Sequence, residues 1–409
     1  MDRIILHSDL NNFYASVECF ESQKYKNIPV AVTGEPEKRH GIILAKNNLA
    51  KAYGIKTGDP LWIAKKKCGD ILFIRSDFDK YSNFSNLAKK IYSEYTNKVE
   101  SFGPDECWLD ISNYCNNNIK YGEIIAHKIR MRIKEELGIT VSIGVSFNKI
   151  FAKLGSDYKK PDAVTVISKD NYKKIVWPMA VENLLFVGRA TLKKLYDRGC
   201  ITIGDLAHLD KGNLEKLLGK NGETLWRFAN GKEDSPVLNI NEHHPIKSIG
   251  NSVTSFRDLM SEDDIKIIFI TLCESVAQRL RKAHAKCKVV QISMRDSKLF
   301  SFERQCQIAP TDVSFDIFKA AFSLYKLNNK DVFLRSIGVR GMDLVFEKDS
   351  QKNIINNNYE KMKYLENSVD HIRNRFGHFS IGKAIMLKDR ELSCFNPINE
   401  HTIHPEPYR

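Results

Sequence analysis

Residues 101–112, SFGPDECWLDIS, join a turn to a short strand and place two carboxylates at the junction. A Gly-Pro pair at 103–104 disfavours regular structure, and apolar residues then recur at every second position from Cys107, as in a half-buried strand. Asp105 and Glu106 stand between the turn and the strand. The stretch therefore predicts a strand that begins with an acidic pair.

Further strands and helices alternate around this stretch. Strand patterns cover 3–10, 28–33, 41–45 and 139–145, and helix patterns cover 13–20, 47–53 and 121–137. Gly54 and Gly138 stand where the second and third of these helices should end. The alternation predicts an α/β or α+β unit over the first ~165 residues.

The rest of the chain changes character at about Ser168. Helical patterns predominate up to 231, and residues 232–246, KEDSPVLNINEHHPI, carry two prolines and no hydrophobic period, which predicts a linker. A long helix over 265–285 and several strands follow, and a last helix is expected over 359–376.

Composition favours a polyanionic partner. The 409 residues include 63 Lys and Arg against 50 Asp and Glu, a formal net charge of +13, and 42% are hydrophobic. Such a surplus suits nucleic acid first and an anionic membrane second, while simple solubility remains an alternative. The nine cysteines form no CxxC pair and no stretch approaches 18 apolar residues, so we expect reduced thiols, a cytoplasmic location and no membrane span.

The acidic pair gains a possible partner in Asp9, which lies near the end of the first predicted strand. Carboxylates brought together from distant segments repel one another unless a cation lies between them. Mg²⁺ takes oxygen ligands, and two such ions can activate a hydroxyl and stabilise a departing pyrophosphate. The alternative is that these acids are ordinary turn and cap residues.

Residues after Asp9 suit a phosphorylated sugar. Asn12 fits a tight turn whose amides face phosphate, and Phe13 and Tyr14 place two rings beside it. A ring under a sugar leaves no room for a 2′-hydroxyl and would select against ribonucleotides. The alternative for both rings is the hydrophobic core.

Basic residues and one turn complete the set of candidates. Lys51, Lys159 and Lys160 are candidate triphosphate ligands, although a single lysine is usually solvated surface. The turn at Val187–Gly188 resembles a helix-hairpin-helix, which binds DNA phosphate through backbone N–H groups at a helix N-terminus. An ordinary helical hairpin is the alternative.

Five segments in order resemble the Y-family translesion DNA polymerases, of the DNA polymerase IV and DNA polymerase V catalytic-subunit types. They are SDLNNFYASVE (8–18), LAKNNLAKAYGIKTGDP (44–60), SFGPDECWLDIS (101–112), ITVSIGVSFNKIFAKLGSDYKKPD (139–162) and LLFVGRATLKKL (184–195). The resemblance implies a multidomain α+β right-hand polymerase. Its expected parts are a palm (1–10 and 74–167), small fingers (11–73), a helical thumb (168–231), a linker (232–246), a little finger (247–345) and a partly helical tail (346–409).

The resemblance also implies roles for single residues. Asp9, Asp105, Glu106 and the Leu10 carbonyl become ligands of two Mg²⁺ ions, with Mn²⁺ as a substitute. Tyr14 falls at the steric gate beneath the deoxyribose. Further dNTP contacts are expected from Asn12, Phe13, Lys51 and Lys160, and a DNA phosphate contact from Gly188.

This chain departs from the family pattern in three places. Asn48 and Lys51 stand where the family commonly has Tyr and Arg, and Lys lacks the bidentate fork of Arg. Gly103-Pro104 replaces Ser-Ile before the acids, and Phe186 replaces the first glycine of the thumb Gly-x-Gly.

The expected activity is low-fidelity, template-directed DNA synthesis in translesion synthesis and DNA repair, without a proofreading exonuclease. Primer-template DNA and dNTPs are the expected partners of a monomer, with weak sliding-clamp binding through a degenerate motif at Gln351. A non-catalytic DNA-binding scaffold is the alternative, and a palm-type nucleotide cyclase is a third, since it would share the carboxylates.

Overall fold

The chain divides into two units. The computed structural model describes residues 3–34, 41–115, 118–242, 245–328, 333–346, 357–394 and 396. Described residues up to 242 form unit 1, and those from 245 form unit 2. The division falls in the expected linker segment.

The strands of the described residues are β1 (Ile5–Leu10), β2 (Val30–Thr33), β3 (Ile43–Lys46), β4 (Leu72–Arg75), β5 (Val99–Ser101), β6 (Glu106–Asp110), β7 (Val141–Ser146), β8 (Val164–Ile167), β9 (Ser248–Leu259), β10 (Ala285–Asp296), β11 (Ser301–Thr311) and β12 (Leu334–Phe346).

The α-helices of the described residues are α1 (Phe13–Glu21), α2 (Asn48–Ala52), α3 (Leu61–Lys67), α4 (Phe78–Ser93), α5 (Ile119–Leu137), α6 (Lys149–Tyr158), α7 (Tyr172–Ile175), α8 (Arg189–Tyr196), α9 (Ile203–His208), α10 (Lys211–Leu218), α11 (Lys220–Ala229), α12 (Glu262–Lys282), α13 (Ser314–Asn328), α14 (Asn357–Phe376) and α15 (Arg390–Ser393).

A five-stranded sheet in the order β5-β6-β1-β7-β8 is the centre of unit 1. Strand β1 lies in the middle, antiparallel to both neighbours, and all six of its residues are buried, as its apolar run predicts. Helices α4 and α5 cover one face, and α6 lies against β1, β7 and β8. The sequence patterns for β1, β6, β7 and α5 correspond to these elements within about two residues.

Helix α6 lies unusually close to the sheet because two glycines face each other. A Cβ on Gly144 of β7 would lie 1.8 Å from the Ala152 carbonyl oxygen. A Cβ on Gly155 would lie 3.0 Å from the Gly144 Cα. The missing side chains let the helix approach the strands, which fixes the position of every side chain on its inner face.

A smaller three-stranded sheet in the order β3-β2-β4 carries α2 and α3. Strand β2 pairs antiparallel with β3 and parallel with β4. Gly54 follows α2 in the left-handed region, at φ +74°, so the helix ends there as the sequence predicts.

The segment from 168 to 231 is helical, with one difference from expectation. The element directly before the Val187–Gly188 turn is a 3₁₀ turn at Val181–Asn183 and not an α-helix, since α7 ends at Ile175. The Val181 N–H instead donates to the Ile201 carbonyl, and Ala180 forms an isolated bridge with Thr202. These bonds occupy backbone groups that a longer helix would need.

The first residues of the expected linker are held by unit 1. Arg3 donates to the carbonyls of Glu233, Asp234 and Ser235, at 3.1, 3.3 and 2.6 Å. The Leu238 N–H donates to the carboxylate of Glu100 at 3.0 Å. The chain is therefore fixed along the central sheet for several residues past α11.

Unit 2 contains an antiparallel sheet in the order β11-β10-β12-β9, packed against α12 and α13. Helix α14 joins this unit through charge: Arg281 pairs with Glu366 at 2.5 Å and with Asp370 at 2.7 Å. The expected tail helix is present. Among the described helices, none has the length and apolar character to cross a membrane. All nine cysteines are free thiols.

Candidate active site

The three predicted acids meet at one end of the central sheet. Asp9 of β1 is the register partner of Glu106, the first residue of β6. Asp105 directly precedes it, and its carbonyl accepts the Leu10 N–H at 3.0 Å. Antiparallel pairing thus brings together carboxylates that lie almost 100 positions apart in sequence.

Burial disfavours the ionised form of two of these carboxyl groups. Asp9 is only 6% exposed. Burial raises its pKa to about 7, with Lys160 opposing the rise and Glu106 adding to it. Burial also raises the pKa of Asp105 to about 6, and the charge of Glu106 contributes. Both raised pKa values mean that the positive charge near these two carboxylates does not outweigh the effect of burial.

Glu106 differs because cationic and polar groups surround it. Burial acts to raise its pKa, but the approach of His7 and the ion pair with Lys153 outweigh burial, and the pKa lies below its usual range. His7 itself is fully buried, and burial lowers its pKa to about 4, so it is neutral at pH 7. The cation that holds Glu106 ionised is therefore Lys153.

The buried His7 ring links Glu106 to α6. Its Nδ1 lies 2.8 Å from the Ser156 hydroxyl. Its Nε2 lies 3.3 Å from a Glu106 oxygen, a close approach without the alignment of a good hydrogen bond. This contact limits the positions that the Glu106 side chain can take.

Lys160 lies on Asp9. Its Nζ donates to the Asp9 carboxylate at 2.5 Å and lies 2.7 Å from Asp157. Burial acts against the charge of Lys160, but the two acids outweigh burial and raise its pKa. A lysine predicted for a triphosphate thus pairs here with a predicted metal ligand.

Sequence reasoning missed Lys153 and gave His7 no role. Lys153 lies on the inner face of α6, with its Nζ on Glu106 and 5.2 Å from the Phe102 ring centroid. The available signal was the repeat of Lys149 and Lys153 one helical turn apart, directly after a buried strand.

The two aromatic residues that follow Asp9, Phe13 and Tyr14, lie in different surroundings. Phe13 is 3% exposed and belongs to the core. Tyr14 is half-buried and stacks on Tyr81, with centroids 4.2 Å apart and planes 13° apart. Burial raises the pKa of Tyr14, and the charge of Asp105 adds to the rise.

Asn12 connects this turn to the smaller sheet. It adopts the left-handed region at φ 49°, which Asn tolerates better than most residues. Its side-chain amide donates to Asn48 of α2 at 2.9 Å. Asn48, which replaces the common Tyr, therefore ties α2 to the end of β1.

Lys51 has a second lysine beside it. It is exposed on α2, and Lys46 of β3 donates to Thr57 at 3.1 Å. Burial lowers the pKa of Lys46, and the charge of Lys51 lowers it further. Like charges that repel one another in this way favour a nearby anion.

Gly188, for which a phosphate contact is predicted, lies at the N-terminus of α8 and is exposed. A Cβ added there would meet nothing within 4 Å. Phe186 adopts φ 72°, the region that glycine prefers. The substitution therefore keeps the shape of the turn and accepts a strained backbone, which costs about 1–2 kcal/mol.

The acids fit a divalent cation by chemistry. Among the residues that the structure describes, no group of three His, Cys, Asp or Glu is close enough together to hold a metal ion. Lys160 and Lys153 balance Asp9 and Glu106 instead. Carboxylate oxygens are nevertheless the donors that hard cations such as Mg²⁺ prefer.

Solved structures with a similar fold are Y-family polymerases. The chain superposes on "Y-family DNA polymerase chimera Dbh-Dpo4(243-245)-Dbh" with a TM-score of 0.74 and 22% identity, covering 84% of this chain and 99% of that one. It superposes on "Insertion ternary complex of Dbh DNA polymerase" with a TM-score of 0.59 and 23% identity at the same coverage. At these identities the likeness shows the fold.

Family models and curated relatives show the family. Residues 8–157 match the impB/mucB/samB family, and residues 246–354 match its C-terminal domain. DNA polymerase IV of Acetivibrio thermocellus is 47% identical, covering 96% of this chain and 100% of that protein. The chain belongs to the impB/mucB/samB family of Y-family DNA polymerases. DNA polymerase IV 1 of Bacillus subtilis is 34% identical, covering 95% of this polymerase and 94% of its own length.

The expected activity and fold are confirmed at this level. This Y-family polymerase is a DNA-directed translesion DNA polymerase with the multidomain α+β fold of its family. Its substrates are accordingly primer-template DNA and dNTPs, and enzymes of this kind depend on divalent metal ions. The non-catalytic scaffold is not favoured.

Proposed function

We propose that this polymerase extends a primer by nucleotidyl transfer at Asp9, Asp105 and Glu106, with two Mg²⁺ ions, for which Mn²⁺ substitutes. The pairing of Asp9 with Glu106 across β1 and β6 carries the proposal. These acids and the Leu10 carbonyl would hold the ions, which supply positive charge to the primer hydroxyl and the triphosphate. The raised pKa values of Asp9 and Asp105 support this, because burial disfavours their charged forms and a bound cation would favour those forms.

In this proposal Lys160 exchanges its ion-pair partner during nucleotide binding. In the free enzyme its ammonium balances Asp9 at 2.5 Å. Once the charge of Asp9 is balanced from elsewhere, the same ammonium is available to a phosphate oxygen of the incoming nucleotide. Lys153 stays on Glu106 and holds that carboxylate in place.

Residues around the end of β1 would bind the nucleotide. Tyr14 serves as the steric gate, and its stack on Tyr81 restricts the orientation of the ring. Asn12 and Phe13 shape the turn that carries it. Lys51, together with Lys46, faces the triphosphate.

Outside this centre, Gly188 would bind DNA phosphate through the backbone at the start of α8. We further propose low-fidelity synthesis during DNA repair, by a cytoplasmic monomer without a proofreading exonuclease. The palm, fingers, thumb, linker and little-finger boundaries stay predictions. Sliding-clamp binding near Gln351 also stays a prediction, because that motif lies outside the described residues.

Primer extension on undamaged and abasic templates with Mg²⁺ tests the proposal. Asp105→Ala should abolish extension on both templates and leave DNA binding largely intact. Asp110→Ala, at the far end of the strand that Asp105 directly precedes, is the matched control and should retain activity. Extension by Asp105→Ala at the wild-type rate would remove that carboxylate from the catalytic centre.

Sugar selection tests Tyr14 separately. Tyr14→Ala should incorporate ribonucleotides that the wild type rejects, because the ring no longer blocks the 2′-hydroxyl. Tyr53→Ala removes an exposed ring from the smaller sheet region and should leave selection unchanged. Equal selection in Tyr14→Ala and wild type would mean that another side chain forms the gate.

A further inference from the structure

Trp62 of α3 is exposed to a degree unusual for a tryptophan. It is 69% exposed, whereas Trp108 is fully buried. Among the described residues, no ring or cation contacts it. Its helix packs through the opposite side, where Ala64 and Cys68 join the core under the smaller sheet. The indole is therefore not needed for packing.

Two lysines share the face of Trp62. Lys65 and Lys66 follow it by three and four residues, so they lie on the same side of the helix, and both are exposed. Within the described part of the chain, neither side chain has an ion pair or hydrogen bond. Lys67 differs, since Asp59 holds it at 2.6 Å. We call the surface of Trp62, Lys65 and Lys66 the Trp62 face.

The surrounding chain is strongly basic. Residues 41–75 hold seven Lys and Arg against two Asp and no Glu. The start of α3 is joined to the start of β3, because Ile42 and Pro60 form a bridge. The Trp62 face is thus part of the same small sheet assembly as Lys46 and Lys51, whose charges already favour a polyanion.

We propose that the Trp62 face binds the unpaired template strand ahead of the primer terminus, with one base stacked on the indole and neighbouring phosphates on the two lysines. Single-stranded DNA suits this surface because every base offers a flat face that is free to stack, whereas bases in a duplex are already stacked. One ring flanked by cations offers little apolar area to a protein partner. The contact would be independent of DNA sequence, so it would hold the template strand without discriminating between bases.

Binding of the full chain to primer-template DNA with 5′ overhangs of zero, one, four and eight nucleotides tests the proposal. Metal and dNTP are left out, so the result does not depend on the proposed catalytic residues. A stacked base is typically worth about 1–3 kcal/mol, so the longer overhangs should tighten wild-type binding about 5- to 160-fold. Trp62→Ala should lose most of that gain, and Trp62→Phe should keep most of it.

Blunt duplex binding is the internal control, and it should be equal in wild type and Trp62→Ala. Tyr121→Ala, which removes a 55% exposed ring from α5, should leave the overhang gain unchanged. The Lys65→Gln, Lys66→Gln double variant should reduce the salt dependence of overhang binding by about one to two phosphate contacts. An overhang gain that is identical in wild type and Trp62→Ala would overturn the proposal, as would an equal loss of blunt duplex binding.

Discussion

Replacing Asp105 by Asn should stabilise the metal-free protein while removing its activity. The pKa of Asp105 rises from 3.8 to about 6 in the folded state, chiefly through burial. The folded protein therefore binds this proton more tightly than the unfolded chain. Above pH 6 the ionised carboxylate lowers the free energy of unfolding, whereas below pH 3.8 the carboxyl is protonated in both states and has no such effect. About two pKa units correspond to about 3 kcal/mol, and partial exposure reduces this to about 2 kcal/mol.

Urea unfolding in the presence of a chelator measures the difference. Tryptophan fluorescence reports unit 1 alone, because all four tryptophans lie before residue 242. Asp105→Asn should exceed the wild type by about 2 kcal/mol at pH 8 and by about a third of that at pH 4.5. Added Mg²⁺ should stabilise the wild type and leave the variant unchanged.

Asp110→Asn provides a control of opposite sign on the same strand. Burial acts to raise the pKa of Asp110, but hydrogen bonds from Ser112 and Lys98 outweigh it and lower the pKa. That substitution should therefore destabilise the protein at pH 8. An Asp105→Asn variant no more stable than wild type at pH 8, or with the same gain at both pH values, would refute the argument that burial disfavours the charged form of Asp105.

Three further substitutions probe the supports of the site. Gly144→Ala should cost more than 3 kcal/mol of unfolding free energy in a denaturant titration, because its Cβ would overlap the Ala152 carbonyl and push α6 off the sheet; a loss below 1 kcal/mol would contradict the close packing. Lys149→Met should cost about 3–5 kcal/mol by the same titration, since it leaves Glu100 buried without its cation, and Lys149→Met with Glu100→Gln should recover part of this. Lys153→Met should raise the Mg²⁺ concentration needed for half-maximal primer extension about tenfold, because a charge-assisted bond to Glu106 is lost. Lys153→Arg should restore the wild-type Mg²⁺ requirement. Equal Mg²⁺ requirements in all three proteins would show that Lys153 does not position the carboxylate.

The sequence was sufficient to propose the acids but not to show which cations pair with them. Asp9 and the pair at 105–106 stand at strand ends, which local patterns reveal. Their juxtaposition depends on the register of β1 against β6, which no local pattern specifies. The contact of Lys153 with Glu106 spans 47 positions and depends on how closely α6 approaches the sheet. Local periodicity identifies the helix but not that distance.

Two other features show the same limit. The polar segment after 231 has the composition of a linker, yet Arg3 fixes its first residues through three carbonyls. A sequence does not indicate which backbone carbonyls accept hydrogen bonds from a distant side chain. Phe186 departs from a glycine pattern, yet its backbone adopts the glycine conformation. The turn is determined by the bonds on either side of it rather than by the residue at its centre.

The contacts of Arg3 and β1 also determine when this protein can fold during synthesis. Strand β1 leaves the ribosome first, but its partner β7 ends at residue 146, and the carbonyls that Arg3 needs follow at 233–235. At about 5–20 residues per second, a strand that is buried in the folded protein waits about 7–30 s for its second neighbour and about 12–50 s for the last contact. Slower translation of this region would prolong the exposure of β1 and increase the demand on chaperones.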